Sequence, residues 1–230
     1  NRWQAVQGRG GHEPARRSEL MARITSLFNS SLDFDQTAQA VANAVVPSLA
    51  DWCALSLYAD GKVTRVAVAH QDPAMIQVAN EFGQRYPERM DPERGVLKVL
   101  NTGEPELITG ITDEMLVAAA LDPDHLAMMR ALRVCSVITV PLQIAGESIG
   151  FLRLVSSSER PDLTRDEVVF AQEIAGRAAN ALQNAQLFTL AQQELEARRA
   201  TESTLDRERN FLALAQRVAN AGSFELNLRT

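Results

Sequence analysis

Residue types able to do acid-base, nucleophilic or metal chemistry are thinly spread in this chain: three histidines, His12, His70 and His125, and two cysteines, Cys53 and Cys135. His12-Glu13-Pro14 superficially matches a phosphoacceptor box. Such a box needs a long helix around it, and the glycines before it and Pro14 after it oppose one. His70 closes a β-prone stretch on the face assigned to Val66 and Val68. The two-residue period of a strand turns it toward an apolar layer, as a ligand contact, even to haem iron, or as a hydrogen-bonded rim histidine. His125 falls with Met115, Met128 and Met129 in a region of short helices, where thioethers suit either an adaptable pocket or ordinary core filling. His70, Met115, His125 and Met129 form the candidate ligand-binding set, bounding a pocket for a small, largely apolar molecule.

Each cysteine sits in an apolar, strand-like run, which reads as a buried inert thiol. Two cysteines make no disulfide framework, and a metal site would need other ligands. The sequence contains no G-x-S-x-G elbow, P-loop, dinucleotide fingerprint or metal-ligand spacing, so the segment reads as non-enzymatic.

The elements that must position these residues follow from periodicity. Residues 1–14 carry three glycines and no repeat and read as a linker, drawn to residue 18. Leu20, Ile24, Leu27 and Phe28 mark a first helix, and Ala38, Val41, Ala42 and Val45 a second that stops before Pro47. Residues 52–58 and 63–70 flank Asp60-Gly61, a strong hairpin signal. Residues 134–144 and 148–155 flank Ala145-Gly146 in the same manner. Leu152 and Leu154 on one face, with Ile149, Phe151 and Val155 on the other, leave little polar surface, so helices should cover both faces of an antiparallel sheet. Between the hairpins, residues 73–86, 95–100, 113–121 and 123–132 read as short helices and 106–109 as a short strand. So long an insertion in a compact domain tends to serve function.

From Thr164 to Ala221 the chain runs without proline at helical spacing. Thr164-Arg165-Asp166-Glu167 fits a capping box, with hydroxyl and carboxylate each satisfying a backbone N–H, and Asn220-Ala221-Gly222 fits a helix end. Unbroken, it would reach roughly 85 Å, several times the radius of gyration of about 16 Å expected for a domain of this size. Ile174, Ala181, Phe188 and Leu195 recur every seven residues with Ala178 and Ala185 between, while Glu173/Arg177 and Glu194/Arg198 form pairs on other faces. The seam predicts a parallel homodimer; the alternative is an amphipathic terminal helix that packs on its own domain.

The order helix, helix, hairpin, helical insertion, hairpin, exit helix resembles the GAF domain family, the small-molecule-sensing modules of bacterial signalling proteins. The resemblance rests on Thr25-Ser26-Leu27-Phe28, Gly95 after Arg85-Tyr86-Pro87, and above all Ser136-Val137-Ile138-Thr139-Val140-Pro141-Leu142. A glycine turn, Ile149-Gly150-Phe151-Leu152 and Asp166-Glu167 follow. It implies an α+β fold, a central antiparallel sheet with helices on both faces and a long C-terminal helix, with the GAF domain over residues 19–190. Residues 191–220 would form a signalling coiled coil. Residues 211–228, a short helix, Gly222 and an alternating strand, resemble the start of a PAS domain, placed at 221–230.

Within the family, covalent bilin sites pair a cysteine with an adjacent histidine, which this chain lacks. The cyclic-nucleotide subgroup carries Asn-Lys where this chain has Ser156-Ser157-Ser158, and the methionine sulfoxide reductases need clustered cysteines. The cofactor is therefore left unknown, with covalent bilin and cyclic nucleotide argued against. The resemblance implies a sensory module, most simply of a sensor histidine kinase, with a PAS and an output domain downstream. The alternatives are a ligand-free dimerisation scaffold and the regulatory domain of a serine/threonine phosphatase or nucleotide cyclase. A net charge of −6 without a basic stripe argues against nucleic acid as a main partner. No apolar run reaches the roughly 18 to 20 residues of a membrane span, and residues 1–11 lack a signal-peptide core, so the segment is expected to be soluble and cytoplasmic.

Overall fold

The structure, a computed structural model, describes residues 13–28, 33–157 and 160–227. The chain divides into two units, Asn1–Gln186 and Leu187–Thr230. In the first, helices α1 (Glu13–Phe28) and α2 (Phe34–Val45) precede the hairpin β1 (Trp52–Ala59) and β2 (Lys62–His70). Then come α3 (Pro73–Arg85), α4 (Gly95–Thr102), the short β3 (Glu106–Ile108), α5 (Asp113–Ala119) and α6 (Pro123–Ala131). The second hairpin is β4 (Val134–Ile144) and β5 (Glu147–Ser157), and α7 (Arg165–Asn227) follows. The strands form one antiparallel sheet in the order β2-β1-β5-β4-β3.

Local chemistry explains most boundaries. Asp60 and Gly61 both have positive φ, 52° and 76°, as do Ala145 and Gly146, 52° and 85°. This is the pattern of the two-residue turns whose twist matches the flanking strands. Asp72 accepts from the Ala74 N–H at 3.0 Å and Asp122 from the His125 N–H at 2.7 Å. In both cases a proline opens the helix, where its missing N–H costs nothing. The capping box before α7 is only half formed: Glu167 accepts from the Thr164 backbone N–H at 2.6 Å, but the Thr164 hydroxyl donates to the same carboxylate oxygen at 2.9 Å.

One sheet face, with Cys53, Leu55, Ile138, Val140, Leu152 and Leu154, packs under α1, α2 and the first turns of α7. The opposite face lies under the insertion in two clusters, Trp52, Val68, Ala79 and Val155, and Val96, Leu100 and Phe151. Three expectations are corrected here. Helix α1 starts at Glu13, so residues 13–18 are helical rather than linker, while residues 1–12 lie outside the described residues. Ile149 is the unpaired residue of a bulge between Leu142↔Gly150 and Gln143↔Ser148, and it packs with the α1/α2 face rather than beside Phe151. Helix α7 continues through Ala221-Gly222 to Asn227, where a break and a strand were expected. A helix satisfies its backbone within the segment, whereas a lone extended stretch leaves that backbone unpaired.

Candidate functional site

The insertion face of the sheet is where sequence and structure diverge most. Strict alternation along β2 would put Arg65 on the opposite face from Val68. The register jumps from Leu55↔Ala67 to Ser56↔Arg65, so Val66 is the extra residue of a bulge. Val66 packs against the α1/α2 core, and Val66 and Val68 do not share a face as the alternation implies. Arg65 is thereby turned under the insertion, where its Nη1 donates to the Ala79 carbonyl in α3 at 2.9 Å. Gly83, one turn further along α3, makes room for it: a Cβ there would lie 2.6 Å from Nη1.

Arg153 of β5 is paired with Ala54 of β1 and Thr139 of β4, in mid-sheet. Its guanidinium forms a two-pronged ion pair with Glu88, Nη1 to Oε1 and Nη2 to Oε2, the latter at 3.2 Å. Its Nε reaches the Thr139 hydroxyl oxygen at 3.5 Å, and its carbon lies 5.2 Å from the centre of the Phe151 ring. Glu88 comes from residues 87–94, which join α3 to α4 without regular structure. Both partners are sheltered, the Arg153 side chain 24% exposed and that of Glu88 25%. Burial pulls Arg65 below the ordinary guanidinium range; Glu88 opposes that shift and Arg153 adds to it. Two guanidiniums thus share this face with Glu88 and, toward the sheet edge, with Glu106 of β3, which pairs with Thr139, where the sequence reading expects a largely apolar lining.

Of the expected site residues, His70 ends β2, Met115 lies on α5, and His125 and Met129 lie one turn apart on α6. His70 is half-buried, accepts the Asp72 N–H at Nδ1 at 2.8 Å, and meets Trp52 edge to face at 5.9 Å. His125, buried in α6, accepts the Leu121 N–H at 3.0 Å and stacks on Phe82 and Tyr86, with centroids 5.3 and 4.2 Å away. The Tyr86 hydroxyl in turn donates to Asp122 at 2.9 Å. Burial lowers the pKa of His125, favouring a neutral ring that ties α3 to α6. Met115 is exposed on α5 and Met129 half-buried on α6. A cleft of about 730 Å³ lies elsewhere, between α1 and the start of α7, beside Met21, Thr25, Phe170 and Arg177. Among the described residues no group of three or more His, Cys, Asp and Glu side chains is arranged to hold a metal.

The two cysteines lie apart, on β1 and β4 with β5 between. Cys53 is fully enclosed, and burial pushes its thiol far above the ordinary range. Ser156 and Ser157 serve the fold: the Ser156 hydroxyl donates to the Pro161 carbonyl at 3.0 Å, and the Ser157 N–H and hydroxyl both donate to Asp51 at 2.8 Å. Ser158 lies outside the described residues.

The expected seam divides. Ile174, Ala178 and Ala185 are buried in the core of the first unit and Ala181 is half-buried there, whereas Phe188 and Leu195, in the second unit, are 40% and 53% exposed. The domain itself therefore covers the upstream half of the seam, as a helix that packs on its own domain would have it, and leaves the downstream half exposed.

The model of the GAF domain matches residues 33–182, most of the chain, and the chain belongs to the GAF domain family, whose members are generally regulatory modules. Its fold is similar to the GAF domain of a phosphoenolpyruvate-protein phosphotransferase from Coxiella burnetii, with a TM-score of 0.57 and 17% identity over 77% of this chain and 99% of that one. It is also similar to a free methionine-R-sulfoxide reductase from Neisseria meningitidis, with a TM-score of 0.53 and 17% identity over 74% of this chain and 90% of that one. A third similar structure covers residues 122 to 287 of a methyl-accepting chemotaxis protein, with a TM-score of 0.52 and 18% identity over 72% of this chain and 98% of that one. At these identities the likeness speaks for the fold. Comparison with curated protein sequences gives no match. Among the described residues, no helix is long and apolar enough to cross a membrane.

Proposed function

We propose that this chain is a non-catalytic sensory module of a multidomain signal-transduction protein, a sensor histidine kinase in its simplest form, that passes its state through α7 as part of a parallel homodimer. One observation carries this reading. The upstream part of helix α7 has Ile174, Ala178 and Ala179 fully buried in the GAF core, and the same helix runs on through Phe188 and Leu195, which keep large apolar side chains exposed. Such side chains contribute typically 1.5 to 3 kcal/mol each when a partner buries them. A change in the core that shifts α7 would then be felt along the helix by a partner chain, which gives a ligand two states to choose between. Sedimentation of the wild type and of Phe188→Glu tests this. The expected result is a dimer that the substitution dissociates, and a monomer in both samples removes the dimer from the proposal.

A further inference from the structure

We propose that the insertion face of the sheet is a binding site for a small carboxylate-bearing anion, which takes the place Glu88 occupies on Arg153. The inference rests on the sensory reading and names the ligand class for it.

Arg153 sits at a position that packing alone would give to an apolar residue, in a strand whose neighbours Phe151, Leu152, Leu154 and Val155 are all buried. A guanidinium sheltered there is costly unless a carboxylate faces it, and the fork geometry suits a carboxylate in particular. Glu88 fills that role from a distant segment without regular structure, residues 87–94. A carboxylate on such a segment can withdraw at less cost than one fixed in a strand. Thr139 adds a polar contact to the same guanidinium.

The second guanidinium is the independent part. Arg65 reaches this face through the bulge at Val66, lies with its guanidinium where a Cβ on residue 83 would fall, and has no carboxylate bonded to it among the described residues. Its hydrogen bond goes to the neutral Ala79 carbonyl. Around Arg153 two guanidiniums face one bonded carboxylate, Glu88 of the segment 87–94 without regular structure, while Glu106 of β3, paired with Thr139, adds a second carboxylate to this face toward the sheet edge. An incoming carboxylate replaces Glu88 on Arg153 and also lies in the field of Arg65. Glu88 is thus a built-in competitor, and its departure releases the connection between α3 and α4.

The test is calorimetric titration of the full chain at low ionic strength with acetate, succinate and glutarate. Neutral succinamide and inorganic phosphate serve as comparators, and a circular dichroism melt of each variant controls for folding. Glu88→Gln should bind succinate or glutarate about tenfold more tightly than the wild type, because the competitor is gone. Adding Arg153→Gln should abolish the binding. Where that variant fails to fold, Arg153→Lys, which keeps the charge and loses the fork, should weaken binding about tenfold, and Arg65→Gln should weaken it as well. The proposal is overturned if Glu88→Gln binds no carboxylate saturably, if the arginine substitutions leave binding unchanged, or if phosphate binds and carboxylates do not. The dimer mass from sedimentation is read separately, so a dimer without carboxylate binding sinks this inference and leaves the regulatory reading standing.

Discussion

A Cβ on Gly150 of β5 would fall 2.2 Å from the carbonyl oxygen of Ser56 in β1. Backbone, not a flexible side chain, occupies that space, so Gly150→Ala must push two central strands apart. The expected loss is about 2 to 3 kcal/mol, in the range of overpacked cores. Gly176 gives the opposite sign. It lies in α7 with nothing within 4 Å of a would-be Cβ. Gly176→Ala should therefore stabilise by about 0.5 to 1 kcal/mol through helix propensity alone. Urea denaturation of the two variants checks both signs, and equal shifts would show that the close approach at Gly150 is absent in solution.

Ile174 and Phe188 are two heptads apart in one helix and face different surroundings, fully buried against 40% exposed. Ile174→Ala should cost about 2 to 5 kcal/mol by leaving a cavity among α1, α2 and the sheet. Phe188→Ala should leave unfolding of the first unit within about 0.5 kcal/mol of wild type, as expected of a position outside the core. Equal losses at both sites would place Phe188 in the domain core.

The contrast shows which parts of the fold are legible in the chain. The hairpins and most helix starts are written in contiguous residues, Asp60-Gly61, Ala145-Gly146, Asp72-Pro73 and Asp122-Pro123, because turn and cap chemistry is local. The bulges at Val66 and Ile149 are set by pairing across strands, and no local pattern announces them. With the bulge at Val66 unseen, strict alternation would put Arg65 on the wrong face. The Glu88–Arg153 pair spans two elements joined only in space. One signal pointed to it: a lone arginine in the apolar run Phe151-Leu152-Arg153-Leu154-Val155. The histidines drew attention as chemistry-bearing residues, and neither their type nor spacing announces the contacts they make, His70 with the Asp72 N–H and His125 with the Tyr86 ring.

His125 also sets a pH dependence. Burial lowers its pKa from the ordinary 6.5, with Asp122 opposing and Arg89 reinforcing the shift. The unfolded chain then takes up the proton first as the pH falls. The stability from the neutral ring is fully present above about pH 6.5 and is lost progressively as the pH drops below that and through the folded value. Asp113, Glu114 and Asp122 are held below their ordinary carboxylate values, so their contributions are lost only at more acid pH. Denaturation midpoints of the wild type should fall between pH 7.5 and 5.5, and those of His125→Gln should fall less over that window, whatever its absolute stability. Identical slopes would assign the dependence to other groups.

The last prediction concerns how a state of the GAF core would leave it. The small residues Ala178 and Ala179 are fully buried where α7 packs on the domain, and alanines there allow close contact that can slide without large side chains in the way. The Glu194–Arg198 pair, 2.8 Å apart, lies on the exposed part of the helix, where it supports helicity and ties α7 to nothing else. Inserting two residues after Gln192 would rotate everything downstream by about 200° at 3.6 residues per turn, while residues 33–182 keep their sequence and packing. In a protein whose output depends on helix phase, regulation should be lost or inverted, and the urea midpoint of the GAF unit should remain as in the wild type. A four-residue insertion, about 400° and so within roughly 40° of the original phase, should restore much of the regulation. If the two-residue insertion leaves regulated output normal, α7 is a passive tether and the relay is wrong.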